Sequence, residues 1–256
     1  MRFRKSCRVI LSMLALLCTA NADAQTSALK TIERAIEFHG GPAYENSLAT
    51  MRLCSGSGCY DLEVEAEGGL FRHRVAGPVR DGRRQVEATN DSVRHWNDDE
   101  EVAVAGPADA QRLRDWATAR IYFVFLPYRL DDESARQQDL GLERWGGRDL
   151  HKVKVTFRPG SSTDAQDEFM YWFDPETGRL EQLAYSFEGN PGGLRFRRLS
   201  NYRRVGGILF HDQENLGLAG DRLSVDQIDP EFVEEMKPIS EIRVEEIRVE
   251  TLSSGD

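Results

Sequence analysis

The sequence predicts an α+β protein built mainly of antiparallel β-strands. Apolar and β-branched residues recur in short runs on both sides of a central helical segment, and Gly, Pro, Asp and Asn separate these runs. The turn from Asp174 to Gly178 is a strong hairpin signal, because its proline presets φ and its glycine is free to take a positive φ. These observations favour strands joined by tight turns.

The first 24 residues have the three parts of an export signal. A basic start is followed by the apolar run from Val9 to Leu17 and by small-x-small cleavage sites that end at Ala22 and Ala24. The apolar run has about half the length that a membrane span needs, so cleavage is expected rather than anchoring. Lipidation at Cys18 is disfavoured because Leu17 precedes it. We therefore expect a periplasmic or secreted protein with residues 1–24 removed.

Length and charge limit the remaining possibilities. The chain suits a single domain, expected to comprise residues 25–256. Its formal charge of -10 repels phosphates, so nucleic acid is not expected as a partner, and membrane association is expected to be peripheral or absent. The arginines from Arg195 to Arg204 are interpreted as solvated rather than as an anion site, because a strand would distribute them over both faces.

Cys54 and Cys59 are expected to form a disulfide. They are separated by four residues, Ser55 to Gly58, between two predicted strands, and an oxidising compartment favours their pairing. The bond would contribute about 2 kcal/mol in the chain-entropy treatment. A redox-active pair is disfavoured by the spacing, and a zinc site would need two further ligands. No metal and no cofactor are expected.

The first elements are a helix and a β-meander. Residues Ala28 to Phe38 carry an apolar stripe at helical spacing, with Ser27 as N-cap and the following glycines as the stop. From Leu48 to Trp96 the pattern changes to short β-rich runs.

A second helix is predicted from about Ala108 to Phe125. Pro107 suits its first position, apolar residues follow at helical spacing, and Pro127 requires the helix to end before it. Its last turns, from Ile121, are apolar on all sides and are expected to be deeply buried.

The second half returns to strands, with alternating or apolar runs at 153–157, 169–173, 180–187, 194–204 and 208–213. Near the end, the five residues Glu241 to Glu245 are repeated as Glu246 to Glu250. Five is odd, so equivalent residues fall on opposite faces of a regular strand. Either a β-bulge lies near Glu245, or the strand changes partners there.

Evidence for catalysis is weak. The familiar hydrolase, zinc-protease, phosphate-loop and dinucleotide motifs do not occur, and the five histidines are dispersed. His73 and His151 share strand faces with apolar residues and should point inward, where a satisfied core histidine is favoured over a ligand or a catalytic base. An enzyme is therefore not favoured, and no catalytic residue is expected.

Aromatic residues are the more suggestive feature. In Phe169 to Phe173 both strand faces carry large side chains. Either both faces belong to a plain core, which is favoured, or helices cover one face and a partner or ligand covers the other.

An ordered series of segments resembles a family of exported bacterial proteins of unknown function grouped with the LolA/LolB-like lipoprotein carriers. The series consists of 126–130, 153–157, 171–174, 184–187, 195–197 and 206–210. The resemblance implies a curved antiparallel sheet, a half-open β-barrel, wrapped over a few helices with an apolar cavity between them. It implies no catalytic residue.

Three functions remain open at this stage. The first is an envelope protein that binds a hydrophobic small molecule, such as a lipid or acyl chain, in the cavity. The second is an envelope interaction or sensor module with a filled core, and the third is a hydrolase with an unrecognised site. Six residues are expected to line the cavity of the first: Phe71, His73, Trp116, Phe123, Phe125 and Tyr171. The oligomeric state is left open.

Overall fold

In the computed structural model, residues 24–252 are described except for 57, 159–166, 188–191 and 221–222. The described strands form one open antiparallel sheet in the order β6-β5-β4-β3-β2-β1-β13-β12-β11-β10-β9-β8-β7. Their bounds are β1 Asn46–Ser55, β2 Gly58–Glu67, β3 Leu70–Val79, β4 Gly82–Thr89, β5 Val93–Asn97, β6 Glu100–Val102, β7 Ala135–Trp145, β8 Arg148–Phe157, β9 Glu168–Phe173, β10 Leu180–Phe187, β11 Gly193–Val205, β12 Ile208–Ala219 and β13 Lys237–Thr251. The predicted class, α+β with mainly antiparallel strands, is confirmed.

The helices lie before, within and after this series of strands. They are α1 (24–39), α2 (Pro107–Ile121) and α3 (Pro230–Glu235), and short 3-10 turns occur at Gly41–Tyr44 and Val225–Gln227. The predicted extension of α2 to Phe125 is wrong, because residues 122–130 form successive turns before and around Pro127. The expected burial of this segment is confirmed for Val124, Phe125 and Leu126. Within the described residues, the helices are all too short or too polar to span a membrane.

β13 joins the two halves of the sheet. Its first part pairs with β12, and its second part pairs with β1. The register shifts opposite Thr50 and Arg52, where Glu246 adopts a φ of 53°. The expected β-bulge therefore occurs at Glu246, and the change of partner lies earlier in the strand, between Ile242 and Arg243.

The two faces of the sheet have separate covers. We call the face covered by α1, α2 and residues 122–130 the inner face, and the opposite face the outer face. On the inner face, α1 packs on β7–β11 in one apolar cluster and α2 packs on β1–β4 in a second. On the outer face, residues 225–236 cover a third cluster on β8–β12.

The segment Phe169–Phe173 is core on both sides. Phe169, Tyr171 and Phe173 belong to the inner cluster, whereas Met170 and Trp172 belong to the outer cluster. The plain-core interpretation is confirmed. The outer cover comes from α3 and the turn before it, which the sequence analysis did not predict.

Two local predictions are confirmed by the backbone. Cys54 and Cys59 lie directly opposite each other in the β1–β2 hairpin and form a disulfide, with 4.1 Å between their Cα atoms. Gly178, at the end of the turn between β9 and β10, has a φ of 85°. The proposed export signal lies outside the described residues, apart from Ala24.

Candidate functional site

A group of aromatic rings lies at one end of β8, β9 and β10 on the inner face. We define the aromatic cluster as Phe123, Phe157, Phe169, Tyr185 and Phe187. Phe157 and Phe169 are 5.8 Å apart between ring centroids, Phe169 and Tyr185 are 5.6 Å apart, and Phe123 is 5.2 Å from Tyr185. Every ring except Phe169 is partly exposed. The cluster is therefore an apolar surface with an open side.

Strand register creates this cluster. Phe169 lies opposite Val155 on β8 and opposite Tyr185 on β10, and Tyr185 lies opposite Arg195 on β11. Directly paired residues share a face, so these side chains form one row across four strands. Phe123 joins the row from the segment after α2, which packs on this face.

The next row inward contains a buried arginine. Arg197 lies opposite Leu183 and Asn215 and is only 9% exposed. Its Nη1 donates to Gln213 Oε1 at 2.8 Å, and its Nη2 donates to the Tyr185 hydroxyl at 3.1 Å. The Phe123 ring covers the guanidinium, with 3.7 Å between the ring centroid and Cζ. The rings of Phe123 and Tyr185 both lie close to this cation.

Arg197 has no acidic partner among the described residues, and its Nε–H has no hydrogen-bond partner there. Burial lowers the pKa of the guanidinium, but the group stays charged because arginine is not deprotonated in proteins. A buried charge is normally paired or neutralised, since desolvation is costly. An unpaired, permanently charged side chain in the interior is the most unusual electrostatic feature of this face.

Further polar groups continue from Arg197 along β12. We call His211, Gln213 and Asn215 the polar row. Gln213 bridges Arg197 and the Phe123 carbonyl, to which its Nε2 donates at 2.8 Å. His211 Nε2 and Asn215 Oδ1 are buried and have no partner among the described residues. Burial lowers the pKa of His211 to about 3, so this imidazole is neutral at pH 7.

The segment 122–130 is fastened onto the inner face by side chains. The hydroxyls of Tyr122 and Tyr171 are 2.7 Å apart, and Gln137 donates to the Leu130 carbonyl at 2.7 Å. Together with Gln213, these contacts hold both ends of the segment against β7, β9 and β12. The segment acts as a cover over the row that contains Arg197.

The structure distributes the six expected cavity residues over several places. Phe123 and Tyr171 are close, since each contacts Tyr122. Phe125 lies instead in the α2 cluster, where it packs against Tyr44 and Phe210.

The remaining three also lie on the α2 side. Trp116 packs against Tyr60 and Arg120. Phe71 and His73 pair at 4.6 Å on β3, and burial lowers the pKa of His73 to about 4. Of the six, Phe123 contacts Arg197, and Tyr171 lies in the same row two strands away, beyond Leu183.

His151 fastens α1 to the sheet. Its Nε2 is 2.8 Å from Asp139 Oδ1, and its Nδ1 is 3.2 Å from the Thr31 hydroxyl. Ser27 donates to the other oxygen of Asp139. His151 points inward as expected, and these contacts join the start of α1 to β7 and β8.

Sequence reasoning missed the role of Arg197. The interpretation of the Arg195–Arg204 arginines as solvated is wrong for this residue, although Arg198, on the opposite face, is exposed and paired with Glu214. The signal that could have revealed it is its even spacing from Leu199, an apolar residue on the same strand face.

A separate groove of about 390 Å³ lies on the outer face of the first half of the sheet. Its lining alternates in charge, and Arg52, Asp61 and Arg83 are joined by ion pairs there. This polar groove does not suit an apolar ligand.

Comparison with known proteins shows the fold and the family. No curated protein matches the sequence of this chain. A solved structure of a DUF1329 family protein from Desulfovibrio piger is 12% identical, covers 88% of this chain and 92% of its own, and has a TM-score of 0.51. A LolA superfamily protein from Nitrosomonas europaea is 11% identical, with 90% and 95% covered and a TM-score of 0.49.

At these identities the likeness concerns the fold alone, an open curved sheet over helices, as the resemblance implied. The sequence pattern of one family matches residues 73–229, which include the segment 122–130, the aromatic cluster, Arg197 and the polar row. The chain belongs to the family of unknown function DUF6503.

Proposed function

We propose that this protein binds a hydrophobic ligand, such as a lipid or an acyl chain, between the inner face of β8–β11 and the segment 122–130. The observation that carries the proposal is the partly exposed aromatic cluster. Full burial of such side chains would contribute about 2 kcal/mol each, so an apolar molecule laid across these rings would gain binding energy. Concave apolar surfaces with a few polar groups are typical of small-molecule sites.

The position of the cover supports a site that opens locally. Residues 122–130 form turns rather than a regular helix, and side-chain contacts hold this segment on the sheet. Val124, Phe125 and Leu126 are buried, so local opening is confined to the partly exposed start of the segment near Phe123, where few backbone hydrogen bonds break. A ligand would lie on the rings of Tyr185 and Phe169 beside Phe123, whose ring stays over Arg197.

The compartment is part of the proposal. We propose that residues 1–24 direct export and are removed, and that residues 25–256 act as one domain in the periplasm or outside the cell. The Cys54–Cys59 disulfide supports an oxidising compartment. A protein there could carry a lipid through an aqueous space without a membrane span of its own.

Thermal unfolding of delipidated protein tests the proposal. Acyl chains, phospholipids and isoprenoids are added separately, and a true ligand should raise Tm in proportion to RT ln(1 + [L]/Kd). Phe123→Asp should abolish the shift because it places a charge in the aromatic cluster. Phe232→Asp is the matched control, since Phe232 is a partly buried aromatic residue on the outer face.

The control should keep the shift even if its baseline Tm is lower. If none of the three ligand classes shifts the wild-type Tm, the proposal is wrong, and an envelope interaction module with a filled core would be the better explanation.

A further inference from the structure

We propose that Arg197 binds the carboxylate of an amphiphilic ligand, so that the ligand of this site is an acyl chain with an acidic headgroup. The inference deepens the proposed function and rests on it. It follows from the position of one buried cation beside the aromatic cluster, and from the hydrogen-bonding capacity that this cation keeps.

The first step concerns the donors of Arg197. A guanidinium has five N–H bonds, and two hydrogen bonds are formed here, to Gln213 and to Tyr185. The Nε–H is buried without a partner in the described part of the chain. A carboxylate can accept from the Nε and Nη2 edge of arginine in a bidentate manner, which is the geometry that this group favours.

The second step concerns geometry around the guanidinium. Phe123 lies over its face at 3.7 Å, and hydrogen bonds form in its plane. An anion binds in the same plane, so the stacked ring and a carboxylate do not compete for one position. The uncharged acceptors around it, Gln213 Oε1 and the Tyr185 hydroxyl, hold the guanidinium in a fixed orientation.

The third step concerns charge. Arg195 lies two residues away on the same inner face, above the Phe187 ring at 4.6 Å, and it is only partly exposed. No ion pair to Arg195 or to Arg197 occurs among the described residues. Two unpaired cations on one face create a positive potential inside a protein whose formal charge is -10. This local sign favours an anion.

The fourth step concerns the tail. The row that contains Arg195 also contains Tyr185 and Phe169, and Phe157 and Phe187 extend it towards the strand ends. A carboxylate on Arg197 would place the first carbons of a chain over these rings, with the remainder directed to the exposed side. Along the strands, the buried charge of Arg197 lies inward and the aromatic rings lie towards the strand ends. A ligand bound with its carboxylate inward and its chain outward therefore matches this order.

Titration calorimetry with matched probes tests the inference. Sodium dodecanoate and dodecanol share one chain, and sodium acetate has the headgroup without the chain. Wild-type protein should bind dodecanoate at least about tenfold more tightly than dodecanol, a difference typical of one charged hydrogen-bonding contact, and should bind acetate far more weakly.

Two variants assign this preference to the residue. Arg197→Gln should bring the affinities for dodecanoate and dodecanol to within about twofold of each other. Arg198→Gln is the matched control, because Arg198 is the neighbouring residue with an exposed side chain on the outer face, and it should keep the preference.

The result separates the two proposals. Equal binding of dodecanoate and dodecanol by the wild type, or an acid preference that survives in Arg197→Gln, overturns the role of Arg197 while the hydrophobic site stands. Binding of neither probe, together with no response to phospholipids, overturns the proposed function itself. Acetate binding as tight as dodecanoate binding also overturns the inference, because the chain would then contribute nothing.

Discussion

The hydroxyl groups of Tyr122 and Tyr171 share a hydrogen bond of 2.7 Å between the segment 122–130 and strand β9. Tyr171 is fully buried, and burial raises the pKa of both phenols, so both stay protonated at all ordinary pH values. Each hydroxyl thus has a protein partner. The pair connects the cover of the candidate site to the core of the sheet.

Removal of one hydroxyl should lower the free energy of unfolding more than removal of both. Tyr122→Phe leaves the Tyr171 hydroxyl buried without its partner, and we expect a loss of about 1–2 kcal/mol in the free energy of unfolding. Tyr122→Phe with Tyr171→Phe should recover part of that loss. Urea unfolding of the two single variants and the double variant measures the coupling, and strictly additive losses would contradict it.

The Cys54–Cys59 disulfide should be present in the exported protein and should stabilise it. Free-thiol titration of unreduced, denatured mature protein should give essentially no signal. Replacement of both cysteines by serine should lower the free energy of unfolding by about 2 kcal/mol, since the bond closes a short loop. Two titratable thiols would refute the pairing.

Gly178 should be sensitive to substitution for two separable reasons. Its φ is 85°, and a Cβ there would lie 3.1 Å from the Arg34 carbonyl oxygen of α1. Gly178→Val should therefore destabilise by about 1 kcal/mol or more. Gly147 is the matched control, because it has the same φ but no atom within 4 Å of its Cβ position.

The comparison isolates the contact with α1. Gly147→Val should lose only the conformational part, so the Tm of Gly178→Val should be lower. Equal Tm values for the two variants would show that the approach to Arg34 has no energetic consequence.

Buried histidines should make the protein less stable at mildly acidic pH. Burial lowers the pKa of both His39 and His211 to about 3, and His39 Nε2 accepts a hydrogen bond from the Leu180 amide, which needs the neutral imidazole. The unfolded chain binds these protons near pH 6.5, so stability is complete above that pH and is lost as pH falls towards 3. Each histidine should cost about 2 kcal/mol between pH 7 and pH 5.

Thermal unfolding from pH 7 to pH 5 measures this dependence. Most carboxylates titrate below pH 5, so histidines should account for most of the change in stability between pH 7 and pH 5. His211→Gln should have a shallower fall in Tm than the wild type. An equally steep fall in this variant would exclude His211 as a source.

Sequence patterns predicted the parts of the fold that local periodicity determines. The strands β8 to β12 have apolar residues at spacing two, and the turn at Asp174 to Gly178 was recognised from its residue types. β7 is not predicted because its inward-facing positions include the polar residues Gln137 and Asp139, at the edge of the sheet. Local periodicity is weakest where only part of one strand face is buried.

The candidate site was less predictable because it depends on register. The aromatic cluster takes its rings from three strands and from the segment after α2, and no short stretch of sequence contains it. Arg197 lies among solvated arginines in the sequence, and its burial follows only from pairing with Leu183 and Asn215. Phe123 and Tyr171 are expected from the sequence as cavity residues, and the hydrogen bond and ring contact that join both to Tyr122 depend on the turns after α2.

Arg197→Met should stabilise the ligand-free protein. The guanidinium is buried without an acidic partner in the described chain, and a side chain of similar length without charge would avoid its desolvation. Loss of the bonds to Gln213 and Tyr185 offsets part of the gain, so we expect Tm to rise by a few degrees. Arg198→Met, on the exposed side of the strand, should change Tm little.

A marked fall in the Tm of Arg197→Met would indicate that this cation serves mainly to hold the core together. A rise would indicate that the cation is retained at a cost in stability, which is the behaviour of a group whose charge is used in binding.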